Sequence, residues 1–377
     1  MKFRDFFPLG KASGEAFCNR ETETQWLLNN IFSVKHSLLM APRRFGKSSL
    51  AEKAIINSGL AVSSLNFNTC TDERDIADWI GQGVSHLIGS ALGPVEKVIH
   101  WIKQYVSHIS PKIILGPAGA HLELTMDQRN LPAAHITEVL KLIEKLLAEK
   151  NLQAVMLMDE FQAVGQIAKG HGVEAALRNA AQEMKQLTII FSGSNRHLLK
   201  SMFEDEGRPL YKLCRKLSLK RIEAVHYRRH LRKAARLAWN RDLSEETFER
   251  IMSLSERHPY YVNYLCDIVW SESKELPTIK DVDQAWQLLI EEEQSDANAE
   301  ISNLSLVQKK VLRYIANYAA NHLLSSEAIQ IMGKPLSSIT TAINGLLEKD
   351  MIEKQNHSYQ IINPVIKALA LQREIDR

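Results

Sequence analysis

The residues best suited to chemistry form one short stretch, residues 40–50, with the sequence MAPRRFGKSSL. A polyphosphate requires consecutive backbone N–H groups, a helix N-terminus, a lysine ammonium for its outer phosphates and a hydroxyl that helps to hold Mg²⁺. Gly46, Lys47 and Ser48 have the residue types for these functions. The stretch therefore predicts a phosphate-binding loop, whose candidate ligand-binding residues are Ala41, Pro42, Arg43, Arg44, Phe45, Gly46, Lys47, Ser48 and Ser49.

This loop departs from the usual pattern G-x-x-x-x-G-K-[ST] at its first position, where Ala41 replaces the glycine. Alanine does not easily adopt a positive φ, so the shape of this end of the loop stays open. The alternative interpretation is a chance Gly-Lys-Ser at the start of an ordinary helix. A second nucleotide signature downstream argues against that alternative.

That second signature is an acidic pair, Asp159 and Glu160, which follows five consecutive apolar residues at 154–158. Such an apolar run indicates a central strand buried on both faces. At its carboxyl end Asp159 would hold Mg²⁺ together with Ser48, and Glu160 would act as general base toward the attacking water. The alternative is a pair of helix-capping residues, which the upstream loop makes less favourable.

Further polar candidates follow the later strands. Ser194 and Asn195 end a buried run at 187–194 and could sense the outer phosphate or orient water, although a plain turn would have the same residues. Arg208 precedes the last expected strand, where some ATPases present an arginine finger to a neighbouring subunit, and a surface ion pair is the alternative. His258 and Pro259 open a later helix. His258 could reach the phosphates, or it could simply cap or pack.

The elements that must position these side chains alternate between strands and helices up to residue 222. Strands are predicted near 37–40, 59–70, 154–158, 187–194 and 214–222, with a hairpin inserted at 112–127 and a helix at 95–109. Only helical periodicity follows up to residue 293, which predicts a small helical lid. The polar stretch 291–303 is the expected linker.

The C-terminal part has the pattern of a winged helix-turn-helix: helices at 304–323, 325–332 and 335–349, then two short strands within 351–363. The outward face of its third helix has only polar uncharged side chains, and few basic residues lie nearby. Both double-stranded DNA and a protein therefore remain candidate partners. The outward residues are Ser337, Ser338, Thr340, Thr341 and Asn344, and the nearby lysines are Lys334, Lys349 and Lys354.

The bulk composition is that of an ordinary soluble protein of 377 residues, with 45% hydrophobic and 24% charged residues. The net charge of +3 gives no overall basic field for nucleic acid. Four widely spaced cysteines form no C-x-x-C pair, which predicts reduced thiols and argues against zinc. Neither a signal-peptide core nor an apolar run of membrane length is present in the sequence, so we expect a cytoplasmic protein with no membrane partner.

Taken together, these motifs resemble the archaeal-type prokaryotic ATPase family, in the AAA+ and STAND branch of P-loop ATPases. The resemblance extends over nearly the whole chain and depends on FCNRE at 17–21, APRRFGKSSL, VMLMDE, FSGSN, RPLY, HPYY and the C-terminal pattern. It implies an α/β fold with a five-stranded parallel sheet in the order 5-1-4-3-2, a helical lid, ATP or ADP with Mg²⁺, and nucleotide-dependent self-association. A His-Pro pair in the lid of the related branch replaces a sensor arginine, which makes His258 a candidate nucleotide sensor.

The leading hypothesis is a slow ATPase that acts as a switch, in which the nucleotide state repositions a winged helix. The predicted domains are residues 1–222 for the ATPase, 223–295 for the lid and 304–377 for the winged helix. One alternative is a DNA-binding regulator that uses ATP for assembly. Another is a scaffold for a protein partner in signalling or defence.

Overall fold

The computed structural model describes residues 6–92, 109–116, 119–126, 131–318, 323–355 and 358–372. It consists of two compact units. The sheet unit comprises Arg20–Ala41 and Lys47–Leu219. The C-terminal unit comprises Met1–Asn19, Pro42–Gly46 and Lys220–Arg377. In the described part of the chain, every helix is too short or too polar to span a membrane.

A parallel sheet of five strands forms the centre of the sheet unit. Its strands lie in the order β2-β5-β6-β1-β7. Counting only these five strands along the chain and reading from β7, the order is 5-1-4-3-2, so this prediction is confirmed. The strands are β1 Ser37–Met40, β2 Ala61–Asn66, β5 Ala154–Asp159, β6 Leu187–Gly193 and β7 Arg215–Ser218.

The central strands form because their residues are apolar on both faces. All seven residues of β6 are buried, as are the first five of β5, so both sheet faces must be covered. Helices from the same unit provide this cover: the five that lie between residues 73 and 204 share one core with the strands, and the two earlier ones bury apolar residues outside that cluster. The helices are α1 Glu21–Phe32, α2 Lys47–Ser58, α3 Glu73–Leu92, α4 Pro132–Lys150, α5 Gln162–Ile167, α6 Gly172–Ala181 and α7 Arg196–Glu204.

The predicted insertion is an antiparallel hairpin of β3 Ile109–Gly116 and β4 Gly119–Met126. Leu124 of β4 is buried in the core of the sheet unit. The hairpin prediction is confirmed, although it begins three residues earlier than expected. The helix predicted at 95–109 lies almost entirely outside the described residues.

In the C-terminal unit, four helices precede a segment of three helices and a hairpin. The four are α8 Ala224–Trp239, α9 Glu245–Ser255, α10 Pro259–Glu272 and α11 Ile279–Ser302. The later elements are α12 Leu306–Asn317, α13 Ser326–Met332, α14 Leu336–Glu348, β8 Ile352–Gln355, β9 Ser358–Ile361 and α15 Pro364–Gln372. This is the element order predicted for a winged helix.

The expected linker at 291–303 is wrong, because α11 continues through it to Ser302. Two features explain the difference. The stretch is rich in Glu, Gln and Ala, which are mostly good helix formers. In addition Ala297 and Ile301 are buried, so this part of α11 has an apolar face that a polar linker would lack. The three-domain division remains a prediction.

Candidate functional site

The predicted phosphate-binding loop connects β1 to α2. β1 ends at Met40 and α2 begins at Lys47, so the loop leads into a helix N-terminus. Within the loop, Arg44 has a φ of 64° and Gly46 a φ of 85°. The left-handed backbone thus occurs at Arg44 and Gly46, and Ala41 at the first position does not need it.

Lys47 and Ser48 begin α2 with their side chains directed to other candidate groups. Lys47 is buried, and its Nζ donates a hydrogen bond to the carbonyl oxygen of Ala41 at 3.1 Å. Ser48 Oγ donates to Oδ2 of Asp159 at 3.1 Å. The hydroxyl expected to hold Mg²⁺ and the carboxylate expected to hold it therefore lie side by side.

Asp159 is the last residue of β5, and three groups donate to its carboxylate. Oδ2 accepts from Ser48, while Oδ1 accepts from the backbone N–H of Glu160 at 3.0 Å. Oδ1 also accepts from the hydroxyl of Ser192. The register explains the last contact: Met158 pairs with Phe191 in the parallel sheet, so the next residue of each strand meets the other at the same edge.

Glu160 follows Asp159 with a left-handed backbone, at a φ of 51°. Its Oε2 accepts from Ser194 Oγ at 2.8 Å and from the side-chain amide of Gln162. A Cβ on Gly193 would lie 2.0 Å from Oε1 of Gln162, so the amide can occupy this place only because residue 193 has no side chain. Gln162 is buried, and its Oε1 accepts no hydrogen bond within the described residues.

Two other predicted residues have partners elsewhere in the sheet unit. Asn195 is the N-cap of α7, and its Oδ1 accepts from the backbone N–H of Leu198 at 3.0 Å. Arg208 forms a two-point ion pair with Glu174, including a contact of 3.1 Å from Nε. Glu174 is fully buried. This geometry is that of a structural ion pair within the chain, whereas the finger function of Arg208 remains untested.

The lid residues His258 and Pro259 open α10, with the proline in its first turn as predicted. His258 is buried, and its ring packs edge-on against Phe45 of the loop, with 4.6 Å between ring centres. Burial lowers the pKa of His258 well below its usual range, with the nearby Arg221 guanidinium adding to the effect. His258 is therefore neutral at pH 7, and its Nδ1 has no hydrogen-bond partner in the described part of the chain.

Sequence reasoning missed two residues that contact the acidic pair, Ser192 and Gln162. A signal for each was present. In the strand predicted at 187–194, Ser192 and Ser194 are two positions apart, so both side chains are expected on the same face. Gln162 is two residues after Glu160, within side-chain reach of a carboxylate at a strand end.

The residues present fit a magnesium nucleotide. Hydroxyl and carboxylate oxygens are the ligands that Mg²⁺ prefers, and Ser48 and Asp159 provide one of each at 3.1 Å. A buried lysine follows a loop whose left-handed residues turn the backbone ahead of a helix N-terminus. This combination suits the phosphates and their metal.

Comparison with known proteins gives information on the fold. The chain matches a Walker-type ATPase of Pyrococcus abyssi with a TM-score of 0.68 at 17% identity, over 97% of this chain and 99% of that chain. It matches the Aeropyrum pernix ORC2 protein, solved in ADPNP–ADP complexes, with a TM-score of 0.55 at 13% identity, over 93% and 91% of the two chains.

The Aeropyrum pernix ORC1 protein, solved in complex with DNA, matches with a TM-score of 0.50 at 14% identity, over 98% of this chain and 96% of that chain. Neither a protein-family model nor a curated protein matches the sequence. The structural matches cover both units and show that the chain shares the fold of these proteins.

Proposed function

We propose that this chain is an ATPase of the archaeal type, which binds ATP with Mg²⁺ and hydrolyses it slowly. The observation that carries the proposal is the hydrogen bond of 3.1 Å between Ser48 Oγ and Asp159 Oδ2. It joins the first turn of α2 to the end of β5, so the two halves of the nucleotide signature meet at one sheet edge. The nucleotides in the solved ORC2 complexes are consistent with such a site.

In this proposal each residue of the candidate site has its own function. Lys47 would exchange its hydrogen bond to the Ala41 carbonyl for one to a phosphate oxygen, and Ser48 and Asp159 would hold Mg²⁺. Bound Mg²⁺ would neutralise charge on the phosphate oxygens. Glu160 accepts the proton of the attacking water, and Ser194 and Gln162 hold its carboxylate in place.

The test measures nucleotide binding and turnover in the wild type and in Lys47→Ala. Lysine provides the charge for the outer phosphates, so we expect Lys47→Ala to weaken ATP binding by about 100-fold or more, which corresponds to roughly 2.7 kcal/mol. Lys200→Ala, at an exposed position of α7, is the matched control and should bind like the wild type. Unchanged affinity in Lys47→Ala would refute the proposal.

The switch hypothesis adds that ATP and ADP stabilise different arrangements and different degrees of self-association. Size-exclusion chromatography with light scattering, in ADP and in a slowly hydrolysed ATP analogue, measures both properties at once. We expect the ATP analogue to favour the larger species. Identical profiles with saturating ADP and with the analogue would refute the switch hypothesis and leave the proposed ATPase activity unaffected.

A second candidate function is DNA binding through the three helices and hairpin at 306–361. The element order favours it, and the ORC1 protein of the same fold was solved in complex with DNA. The expected result is duplex binding by the full chain that weakens steeply as salt rises. Binding to a protein instead of to any duplex would favour the scaffold alternative.

A further inference from the structure

Glu293 of α11 is the centre of a polar cluster within the C-terminal unit. One nitrogen of the Arg44 guanidinium lies 3.1 and 3.4 Å from its two carboxylate oxygens. The hydroxyl of Tyr260 donates to one oxygen at 3.1 Å, and that of Tyr261 donates to the other at 3.4 Å. The Glu293 side chain is only 14% exposed, so these three donors provide much of the polar environment of its carboxylate.

The arginine of this cluster belongs to the phosphate-binding loop, three residues before Lys47. Arg44 has the left-handed backbone that glycine adopts most easily, at a φ of 64°. Its guanidinium lies 4.0 Å from the centre of the Tyr260 ring, a cation–π contact that adds to the ion pair. The side-chain contacts thus stabilise a backbone conformation that is unfavourable for an arginine.

The neighbouring loop residue is held as well, since the Phe45 ring packs edge-on against His258. Two consecutive loop residues are therefore attached to α10 and α11 by their side chains. Their backbone amides are among the groups that a phosphate-binding loop presents to its ligand. A fixed loop backbone lowers the cost of binding because less freedom is lost when the ligand arrives.

We propose that Glu293 is a positioning residue for the nucleotide site, which acts through Arg44 to hold the phosphate-binding loop in its ligand-ready shape. The inference depends on the proposed ATP site and adds a residue of α11 to it. A carboxylate that only shapes the loop affects substrate and transition state equally. Its loss should therefore raise KM and leave kcat nearly unchanged.

The first experiment compares Glu293→Gln with Glu291→Gln in the full-length protein. Glutamine keeps the size of the side chain and removes the charge that holds Arg44. We expect Glu293→Gln to weaken the binding of a fluorescent ATP analogue about fivefold to 30-fold, and to raise KM by a similar factor at constant kcat. Glu291→Gln removes an exposed charge from the same helix and should match the wild type. Equal affinity in both variants, or tighter binding in Glu293→Gln, would overturn the inference.

A double-mutant cycle tests whether the effect passes through Arg44. Glycine adopts a positive φ freely, so Arg44→Gly keeps the backbone shape accessible without a side-chain anchor. In that background the further change Glu293→Gln should have no effect on affinity. Losses that multiply independently would show that Glu293 acts by another route and would overturn the inference.

Hydrogen exchange separates this inference from the proposed function. Amides of a peptide covering residues 41–49 should exchange faster in Glu293→Gln than in the wild type or Glu291→Gln, with no nucleotide present. If the wild-type protein fails to bind ATP, the proposed function is refuted. The exchange rates would still show whether Glu293 restricts the backbone of residues 41–49. Unchanged exchange in Glu293→Gln would refute the positioning role even if ATP binds.

Discussion

The carboxyl edge of the sheet and the outward face of α14 both carry polar side chains, yet they differ in how these side chains are arranged. At the sheet edge, Ser48 and Ser192 converge on Asp159 from two other elements. On α14, the hydroxyls of Thr340 and Thr341 donate to carbonyls of their own helix, each at 3.0 Å. Side chains that converge from several elements can surround one ligand, whereas hydroxyls that bond to their own helix leave an extended polar face. Substitutions in the two regions test this difference.

Glu160→Gln should separate binding from turnover at the sheet edge. The amide cannot take the proton of the attacking water, so we expect kcat to fall by about 10²- to 10⁴-fold while ATP affinity stays within a few-fold of the wild type. Single-turnover hydrolysis and analogue binding measure the two quantities. Glu149→Gln, at an exposed position of α4, should keep full activity. Full turnover in Glu160→Gln would mean that convergence at this edge does not serve hydrolysis.

Arg208→Ala tests whether the ion pair of Arg208 with Glu174 serves stability and not turnover. Removing the guanidinium takes the two-point arginine partner from the fully buried Glu174 carboxylate, and we expect a loss of about 3–5 kcal/mol in the free energy of unfolding. Urea denaturation measures it. Lys216→Ala breaks an exposed pair with Glu204 and should cost about 0–1 kcal/mol. Unchanged stability, with a large loss of turnover in the assembled protein, would favour the finger function instead.

Ser192→Ala tests the outer support of the proposed metal site. Ser192 donates to Asp159 and is fully buried, and loss of such a supporting bond typically weakens metal affinity by about 10- to 100-fold. The Mg²⁺ dependence of nucleotide binding measures this change. Ser63→Ala removes another buried serine hydroxyl, in β2, and should leave the dependence unchanged. An unchanged Mg²⁺ requirement in Ser192→Ala would contradict the proposed coordination.

The smallest effect is expected for substitutions of the lysines near α14. If the candidate DNA face is correct, the combined variant Lys334→Gln and Lys354→Gln should lower affinity for duplex several-fold. The slope of log affinity against log salt should decrease by about one for each lost phosphate contact. Lys274→Gln with Lys280→Gln, at exposed positions in the same unit, is the matched control. Equal slopes for the two double variants would remove DNA from this face.

The sequence was sufficient for the strands of the sheet and for the centre of the candidate site. Buried apolar runs identified the strands, and Lys47, Ser48 and Asp159 could be placed together because parallel strands end at one edge. Local pattern could not find the partner of Arg208, since Glu174 lies 34 positions away in α6. Nor could it connect Arg44 with Glu293, which is 249 positions distant. Such pairs depend on tertiary packing, for which a single sequence contains no periodic signal.

The prediction of a linker at 291–303 is wrong for a related reason. Its polar residues are typical of an unstructured connection, but a helix surface exposed to water is also polar. The two buried residues Ala297 and Ile301 are four positions apart, and this spacing is the helical signal that the overall polarity concealed. Polarity alone therefore does not distinguish a linker from the solvent face of a long helix.

The continuity of α11 has a mechanical consequence. The helix has 24 residues, begins at a capping box formed by Thr278 and Asp281, and contains neither proline nor glycine. It is about 36 Å long at 1.5 Å per residue and has no residue of the kind that usually kinks a helix. Such an element behaves as a stiff rod. A tilt at Glu293 would therefore also move Ser302, whose carbonyl accepts a hydrogen bond from Lys309 Nζ of α12 at 3.1 Å. In the proposed switch, α11 would in this way connect the loop arginine with the last helical segment.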